Sequence, residues 1–428
     1  MMDPLVDLSS YPLVDALRDR RSRRFGVGMT IPDGPLAFTS QREPQPLTDE
    51  ERALLVWAAT GLTGWHLGMP HTASGDAHAG ANYPLRLAGR TSPSAAGVQA
   101  SELVIADDDG VSITRIREAG PAELRAVSNA ASLRELVAVT TALTEQVTET
   151  RLRVPPRAPH VSAHNRWDVL QDGTTLFVPV TDMTEYFLTF LSIVTGEGVV
   201  LWDPAADAPV GNPAELLALG RVHDSARVPL AAFEQLVFQQ ASVESGILGH
   251  NAQLMQQAMG LGGWLFGGVD SGALLGAHAA QGVPGLGFDL VHSIAGVAAR
   301  PVGLSGHFET LHPFYHGGPD AIVAAFTELK FGAHGAFGTG LGASDGPFRH
   351  NAGVRAETER FDDATLRYLS SVLATLIERS GGFPETIPTV LTSVYLQSQH
   401  IDPDFYATHY RHALPAAQQE HQERWHSD

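Results

Sequence analysis

Four arginines surround one serine near the start of the chain, where residues 20–24 read Arg-Arg-Ser-Arg-Arg. A guanidinium group presents paired N–H donors that match two phosphate oxygens, and a serine hydroxyl adds a further donor. The whole chain has a formal net charge of -19, from 47 acidic and 28 basic side chains, so this local positive segment stands against the overall charge. The segment predicts a phosphate site, with a solvated positive end of the preceding helix as the alternative.

Two further segments are built from small residues. Residues 93–99 read Pro-Ser-Ala-Ala-Gly-Val-Gln and lead into an apolar strand predicted at 102–106. Small side chains let backbone N–H and C=O groups approach a flat ring system closely. Residues 260–268 follow a long predicted helix and end in two glycines, but no strand precedes them as a dinucleotide fingerprint requires. Taken alone, each segment is also compatible with an ordinary loop.

Composition limits the classes of protein to consider. A chain of 428 residues predicts one large elaborated domain or two domains, and 43% hydrophobic residues indicate a globular protein. The acidic balance argues against broad nucleic-acid binding. We find no long uncharged apolar run and no signal peptide, and the chain has no cysteine. These features predict a cytoplasmic protein with no membrane partner.

Periodicity and breaker residues predict the elements that position these segments. Helices are expected at 12–25, 47–60, 123–150 and 230–260, strands at 102–106, 175–180, 198–202 and 297–303, loops at 26–46 and 62–90, and mostly helix over 318–428. We interpret 186–194 as a mixed apolar segment.

The order of these pieces resembles the nitroreductase-like flavin oxidoreductases, and within them the branch that contains azoline dehydrogenases of peptide-tailoring pathways. The resemblance covers about residues 12–117 and 230–315. It implies an α+β fold with a central mixed or antiparallel sheet flanked by helices. The expected parts are a first core part (1–117), an insertion or lid (118–229), a second core part (230–317) and a mainly helical C-terminal extension (318–428).

The resemblance also implies an FMN site. Its expected residues are Arg20, Ser22 and Arg24 at the phosphate, Pro93, Ser94, Ala95 and Gln99 against the isoalloxazine, and Asn251, Leu265, Gly267 and Gly268 near the ring edge. Arg21 and Arg23 are expected to face solvent. The strand-like residues 302–306 lack the basic residue that many family members place just after them.

The implied activity is an FMN-dependent oxidoreductase that transfers hydride at flavin N5 by a ping-pong route. The substrate would be a small molecule or a peptide, NAD(P)H is a candidate electron donor, and a homodimer would complete each pocket. Candidate acids or bases are Tyr186, His66, His71 and Tyr315. The alternatives are a catalytically silent binding or scaffold protein with the same fold and a metal-dependent hydrolase.

Histidines are numerous, at 19, yet their spacing does not predict a metal site. Residues 307–312 do not match the His-Glu-x-x-His pattern that places two histidines on one helical face. Tail histidines occur at His400, His409, His412, His421 and His426. We interpret the tail as a solvated helix or one that lies across a partner subunit.

Overall fold

The computed structural model describes residues 8–71, 82–291, 299–311 and 317–425. Three residues discussed above, His312, Tyr315 and His426, lie outside the described residues, as does the start of the strand predicted at 297–303. Helices and strands are interspersed along the described chain, which agrees with the prediction of a mixed fold.

The helices differ widely in length. They are α1 (Leu13–Asp19), α2 (Asp49–Thr60), α3 (Pro121–Asn129), α4 (Leu133–Ala142), α5 (Met183–Gly196), α6 (Ala214–Ala218), α7 (Leu230–Ala258), α8 (Ser271–Leu275), α9 (Pro319–Phe331), α10 (Asn351–Glu357), α11 (Asp363–Ser380), α12 (Pro403–His409) and α13 (Ala416–Trp425). Within the described residues, none of them combines the length and apolar character that crossing a membrane requires.

The strands form one large sheet and several small ones. They are β1 (Thr30–Ile31), β2 (Phe38–Thr39), β3 (Leu62–Trp65), β4 (Ala88–Arg90), β5 (Ser101–Asp107), β6 (Gly110–Thr114), β7 (Thr144–Thr148), β8 (Thr175–Asp182), β9 (Val200–Asp203), β10 (Ala208–Pro209), β11 (Arg227–Pro229), β12 (Gly262–Phe266), β13 (Asp289–Val291), β14 (Arg300–Leu304), β15 (Phe308–Glu309), β16 (Val390–Leu391) and β17 (Tyr395–Gln399).

The large sheet has seven strands in the order β12-β17-β8-β5-β6-β7, with β16 also paired to β8. Each of these pairs is antiparallel. Every residue of β5, β8 and β17 is buried. The middle of the sheet is therefore covered on both faces.

Strands of this sheet come from all four parts into which the sequence was divided. Strand β17, from the segment expected to be mainly helical, lies between β12 and β8. The insertion or lid segment contributes β7 and β8. The seven-stranded sheet therefore crosses the predicted boundaries. The division into core parts, insertion and extension stays a prediction.

Several other predictions of local structure were wrong. The helix expected at 123–150 divides into α3, α4 and the strand β7. The loop expected at 62–90 contains β3 and β4 at its two ends. The apolar segment 186–194 belongs to α5, in which Asp182 caps the N-terminus by accepting from Thr184 N and Glu185 N.

Helix α7 confirms the long helix predicted at 230–260. Its 29 residues extend over about 43 Å at 1.5 Å per residue. It packs against α2, α5 and the sheet. Polar residues spaced along α7 therefore reach different parts of the molecule, including the segments predicted to bind a cofactor.

Lys330 in α9 is a buried lysine with few polar neighbours. Its side chain is 1% exposed, and its Nζ lies 5.2 Å from the ring centroid of Phe361 and 3.5 Å from the carbonyl oxygen of Tyr83. Burial lowers the pKa of Lys330 to about 7. An unfolded lysine titrates at about 10.4, so the unfolded state binds more protons between these two values. The stability contributed by this group therefore rises with pH over that window.

Replacing Lys330 with methionine is expected to raise the free energy of unfolding at pH 6 by about 2–4 kcal/mol, because the buried charge is removed. The gain should shrink as pH rises from 7 to 10. Urea unfolding of the wild-type and Lys330→Met chains at several pH values checks this. Lys330→Arg keeps the charge and should instead destabilise. A pH-independent difference between Lys330→Met and the wild type would contradict the assignment.

Candidate functional site

The arginine segment leaves α1 after Asp19 and continues as extended chain, so the helix predicted to residue 25 ends six residues earlier. Arg23 pairs with Gly263 of β12, and Gly26 pairs with Ile401, both as antiparallel bridges. The backbone N–H of Gly263 donates to the Arg23 carbonyl at 2.6 Å. The segment is thereby fixed to the edge of the large sheet.

Arg20 and Ser22 have the properties required of phosphate ligands. Arg20 is half-buried and Ser22 is exposed. Neither side chain makes a hydrogen bond or ion pair to any residue that the structure describes. Both retain donors for an anion.

Arg24 is already engaged. Its Nη2 lies 2.6 Å from Asp168 Oδ2 and donates to Asn165 Oδ1 at 2.9 Å, and its guanidinium lies 4.8 Å from the Trp264 ring centroid. Burial raises the pKa of Asp168 to about 6, although Arg24 opposes this shift. A phosphate at Arg24 would have to displace a buried carboxylate, so the structure removes the main reason for assigning Arg24 to the phosphate.

Arg23 does not face solvent, contrary to the prediction. It is 3% exposed and donates to the carbonyl of Ala413 at 2.7 Å and to Gln257 Oε1 at 2.8 Å. Burial lowers the pKa of Arg23 to about 10. Arg23 therefore ties the segment to α7 and to the C-terminal part of the chain.

The turn at residues 93–99 has an unusual backbone. Ala96, Gly97 and Gln99 all have positive φ angles, of 54°, 63° and 52°. Residues other than glycine rarely adopt this region, so Ala96 and Gln99 store strain. Ser94 Oγ accepts from the backbone N–H of Gln99 at 2.9 Å and closes the turn. Pro93 is exposed, while Ser94 and Ala95 are half-buried.

One predicted acid–base candidate lies against this turn. A Cβ added to Gly97 would lie 3.0 Å from Nε2 of His66, so the imidazole covers the turn at a position that only glycine leaves open. Burial lowers the pKa of His66, which favours the neutral ring. His71 is exposed.

A second acid–base candidate, Tyr186, contacts the buried side of the turn through Ser94. Its hydroxyl is 3.0 Å from Ser94 Oγ and donates to Glu244 of α7. The other Glu244 oxygen accepts from the backbone N–H of Ser101 at 2.9 Å. Burial, together with Glu244, raises the pKa of Tyr186 well above its ordinary value. Tyr186 therefore stays protonated and positions Ser94.

The sequence analysis missed Glu244, although a signal for it exists. Glu244 falls on the same helical face as Val237, Ala241 and Leu248, all of which are buried. A carboxylate in an apolar stripe must find buried partners, because an unpaired buried charge is very costly. Such a residue is a reasonable candidate for a network near a site.

Polar groups beneath the turn are not all satisfied by the protein. Asn251 Nδ2 donates to the carbonyl of Thr91 at 3.0 Å, and Arg90 Nη1 donates to that of Ser101 at 2.6 Å. Arg90 Nε and Nη2 and Gln99 Oε1 are buried without a hydrogen-bond partner among the described residues. Unsatisfied buried polar groups are uncommon and cost free energy. Packing alone therefore does not explain why these buried polar groups lie under the turn.

Three other predicted residues lie at the end of β12 or just after it. Leu265 packs against Gly249 of α7, where a Cβ would clash with a Leu265 methyl group. The Gly268 carbonyl accepts from Ser162 N at 2.9 Å, and a Cβ on Gly268 would clash with Asn165, a partner of Arg24. Gly267 is exposed just after β12.

The predicted cofactor residues thus form two groups on different sides of α7. Gly249 contacts Leu265, whereas Asn251 contacts Thr91 in the strand-turn segment. Two residues along a helix rotate the side-chain direction by about 200°. The turn and the Leu265–Gly268 segment are therefore approached from different sides of α7.

A cavity of about 800 Å³ is lined by two residues that also bond to the turn, although no residue of 93–99 lines it. Leu85 and Arg86 line the cavity and also hold the turn, because Leu85 N donates to the Gly97 carbonyl at 3.1 Å and Arg86 Nη1 donates to the Val98 carbonyl at 3.0 Å. Charged side chains of both signs line the rest of the cavity, among them Arg117, Glu185, Glu309 and Glu328, together with His307.

A buried charge network forms one wall of this cavity. Arg86 binds both oxygens of Glu185, at 2.8 and 2.7 Å, and Arg117 Nη1 lies 3.1 Å from Asp182 and 3.3 Å from Glu185. Burial and the neighbouring Glu185 raise the pKa of Asp182 to about 6. Burial would also raise the pKa of Glu185, but Arg86 and Arg117 outweigh it and lower that pKa.

Comparison with known proteins leaves the family of this chain open. No protein-family model matches the chain, and no curated protein matches it. Among solved structures, the chain is similar to a candidate nitroreductase from Ralstonia eutropha JMP134, at 15% sequence identity and a TM-score of 0.28. The match covers 60% of this chain and 71% of that chain. A likeness at this level decides neither fold nor function.

Proposed function

We propose that this chain is an FMN-dependent oxidoreductase whose flavin ring lies against the turn at residues 93–99. The observation that carries the proposal is the strained backbone at Ala96 and Gln99, held from below by Tyr186 and Glu244. Strain maintained by a rigid buried network is found at functional sites. When bound, the cofactor would supply hydride transfer at its N5 atom, and the protein would supply position and exclusion of water.

The available donors divide the proposed site into a phosphate end and a ring end. Arg20 and Ser22 would hold the phosphate, since their side chains are unengaged within the described chain. The backbone of residues 93–97 would contact the ring. The arginine segment is paired to β12, whose Leu265 meets α7 at Gly249, whereas Thr91 meets α7 at Asn251. Because Gly249 and Asn251 lie on different sides of α7, we propose that each flavin contacts two copies of the chain, in a homodimer.

His66 is the residue we propose for proton transfer, and Tyr186 is a positioning residue. Tyr186 is fully buried and its hydroxyl is engaged by Glu244. His66 is only half-buried, and its lowered pKa leaves a neutral imidazole that can accept a proton near pH 7. Both residues stand against the turn, so His66 would lie close to a ring bound there.

The cavity lined by Leu85 and Arg86, which also bond to the turn, is the proposed entry for the substrate. A volume of about 800 Å³ is in the usual range for sites that take drug-sized molecules. Its lining of arginines and glutamates would favour a small or peptide-borne substrate with charges of both signs. NAD(P)H remains the proposed electron donor.

One observation favours a second candidate function, a binding or scaffold protein without catalysis. Arg24, one of the three expected phosphate ligands, is instead held by Asp168 and Asn165. The reduced set of donors would bind the flavin phosphate less tightly. Binding of FMN without bleaching by NADH, NADPH or any substrate under anaerobic conditions would support this alternative.

The phosphate end is tested by comparing FMN with riboflavin, which has the same ring and no phosphate. The Arg20→Ala/Ser22→Ala double variant should bind FMN about 10–100-fold more weakly, because each hydrogen bond to a charged group contributes about 1.5–3 kcal/mol before partial replacement by water. Its affinity for riboflavin should not change. Quenching of flavin fluorescence on titration with the full chain measures both affinities.

Arg18→Ala is the matched control, since Arg18 is exposed and paired with Asp15. This variant should retain the FMN affinity of the wild type. If the wild type binds FMN no more tightly than riboflavin, or if the double variant keeps its FMN affinity, the assignment of Arg20 and Ser22 is wrong. Loss of riboflavin binding in the double variant would likewise contradict a role confined to the phosphate.

A further inference from the structure

We infer that Glu51, His400 and His421 form a zinc site that is independent of the proposed flavin site. Glu51 lies in the first turn of α2, His400 directly follows β17, and His421 lies on α13. Glu51 and His400 are 0% exposed and His421 is 3% exposed. One ligand atom from each residue lies within 4.8 Å of the other two.

The distances between these atoms suit a tetrahedral metal. Glu51 Oε1 lies 3.0 Å from His421 Nε2, and Glu51 Oε2 lies 3.5 Å from His400 Nε2. Ligands at 2.0–2.1 Å from zinc in a tetrahedron are separated by about 3.3 Å along each edge. The two imidazoles are nearly parallel, at an interplanar angle of 19°. Their Nε2 atoms converge on one carboxylate.

The surroundings of Glu51 support a ligand role. The backbone N–H of Thr48 donates to Glu51 Oε2 at 2.8 Å, and the Thr48 hydroxyl donates at 3.0 Å. Hydrogen bonds of this kind orient ligating carboxylates in metal sites. Two histidines and one carboxylate also form a donor set that suits zinc, whereas calcium and magnesium prefer oxygen ligands alone.

Gln418 is the proposed fourth ligand. It is 0% exposed, and its amide oxygen and nitrogen have no hydrogen-bond partner in the described part of the chain. Gln418 and His421 are three residues apart on α13, so they share one face of the helix. A carbonyl oxygen bound to the metal would satisfy this buried amide and close the site.

The site would fix the C-terminal helix to the body of the protein. Gly260, just after α7, has a φ of +78°, and a Cβ there would clash with His421 and with the Ala417 carbonyl. This close approach places α13 against the end of α7. The tail histidine His421 is therefore buried within its own chain, which corrects the prediction of a solvated tail at this residue. We expect a structural zinc, since three of its ligands come from segments distant in sequence.

Metal analysis of the full chain without a polyhistidine tag tests the site. We expect about one zinc per chain after dialysis. Loss of the metal should accompany His421→Ala and His400→Ala. Glu51→Gln keeps an oxygen acceptor for Thr48, so it should fold while binding Zn²⁺ about 10-fold or more weakly. Addition of EDTA should lower the melting temperature of the wild type, and Zn²⁺ should restore it.

Two matched controls sharpen the result. His250 is exposed on α7, and His250→Ala should retain the metal. His278 belongs to a second group with His160 and Asp270 that is more exposed, and His278→Ala should also retain it. Wild-type protein that holds no zinc and gives no tetrahedral d–d absorption with Co²⁺ would overturn the inference. It would also be overturned if Glu51→Gln binds Zn²⁺ as the wild type does, or if only His278→Ala loses the metal.

Discussion

Replacing Arg86 with methionine should lower the free energy of unfolding by about 3 kcal/mol, because it leaves a buried carboxylate without its main partner. Arg86 is 8% exposed and binds both oxygens of Glu185. Arg117 also lies 3.3 Å from Glu185 and should remain its partner, so we expect the lower end of the usual range for a broken buried pair. Methionine fills much of the same volume and limits the cavity that alanine would leave.

Urea unfolding of the full chain measures this effect. Arg367→Ala is the control, because Arg367 and Glu215 form an exposed ion pair whose loss should leave the urea midpoint unchanged. A loss below about 1 kcal/mol for Arg86→Met would mean that the network is already hydrated or broken. Since Arg86 also donates to the Val98 carbonyl, the same variant should bind FMN more weakly.

The Gly263→Ala variant should lose more than about 3 kcal/mol, or fail to fold. Gly263 has a φ of +135°, and a Cβ there would clash with the Gln397 carbonyl and with Gln256. The clash with a backbone atom of β17 cannot be relieved by a side-chain rotation. Gly263 also pairs with Arg23, so its substitution should release the arginine segment as well.

Gly246→Ala provides the matched comparison for a glycine substitution in the same chain. Gly246 lies inside α7, and a Cβ there would meet nothing within 4 Å. Alanine is the better helix former by about 0.5–1 kcal/mol, so this variant should be more stable than the wild type. Thermal unfolding distinguishes the two variants. Equal effects at Gly263 and Gly246 would contradict the tight packing of β12 against β17.

Sequence signals predicted the elements that depend on nearby residues. Thr48 and Glu51 form the capping box that starts α2, at the position where the sequence indicates a helix start. The apolar periodicity of residues 230–260 likewise gave α7. The runs at 102–106 and 175–180 correspond to β5 and β8, whose hydrophobic residues are fully buried. Each of these signals is complete within about 30 residues.

Long-range contacts produced the features that could not be predicted. Strand β17 contains Gln397, Ser398 and Gln399, which do not read as a central strand. Its polar groups are satisfied by distant residues, since Gln397 accepts from Leu170 N and donates to the Asp168 carbonyl. The partners of Arg24 are equally remote, with Asp168 lying 144 residues further along the chain. No local pattern contains this information.

The candidate site likewise combines features that nearby residues predict with features that depend on long-range contacts. The small residues of 93–99 indicated a segment whose backbone other groups can approach closely, and in the structure His66 lies against Gly97 of this segment. The strained backbone at Ala96 and Gln99 belongs to a turn that Tyr186 of α5 and Glu244 of α7 hold in place through Ser94. These contacts are distant in sequence. Tyr186 and His66 were among the predicted acid–base candidates, yet only the structure separates the buried positioning residue from the half-buried imidazole.

The proposal that this chain holds FMN is tested most directly by the visible spectrum of the purified full chain after incubation with FMN and gel filtration. We expect the protein to remain yellow, with absorption bands at about 370 and 450 nm and close to one flavin per chain. We also expect the flavin to elute with a dimer. A colourless protein fraction, with all of the FMN in the small-molecule volume, would contradict the proposed function.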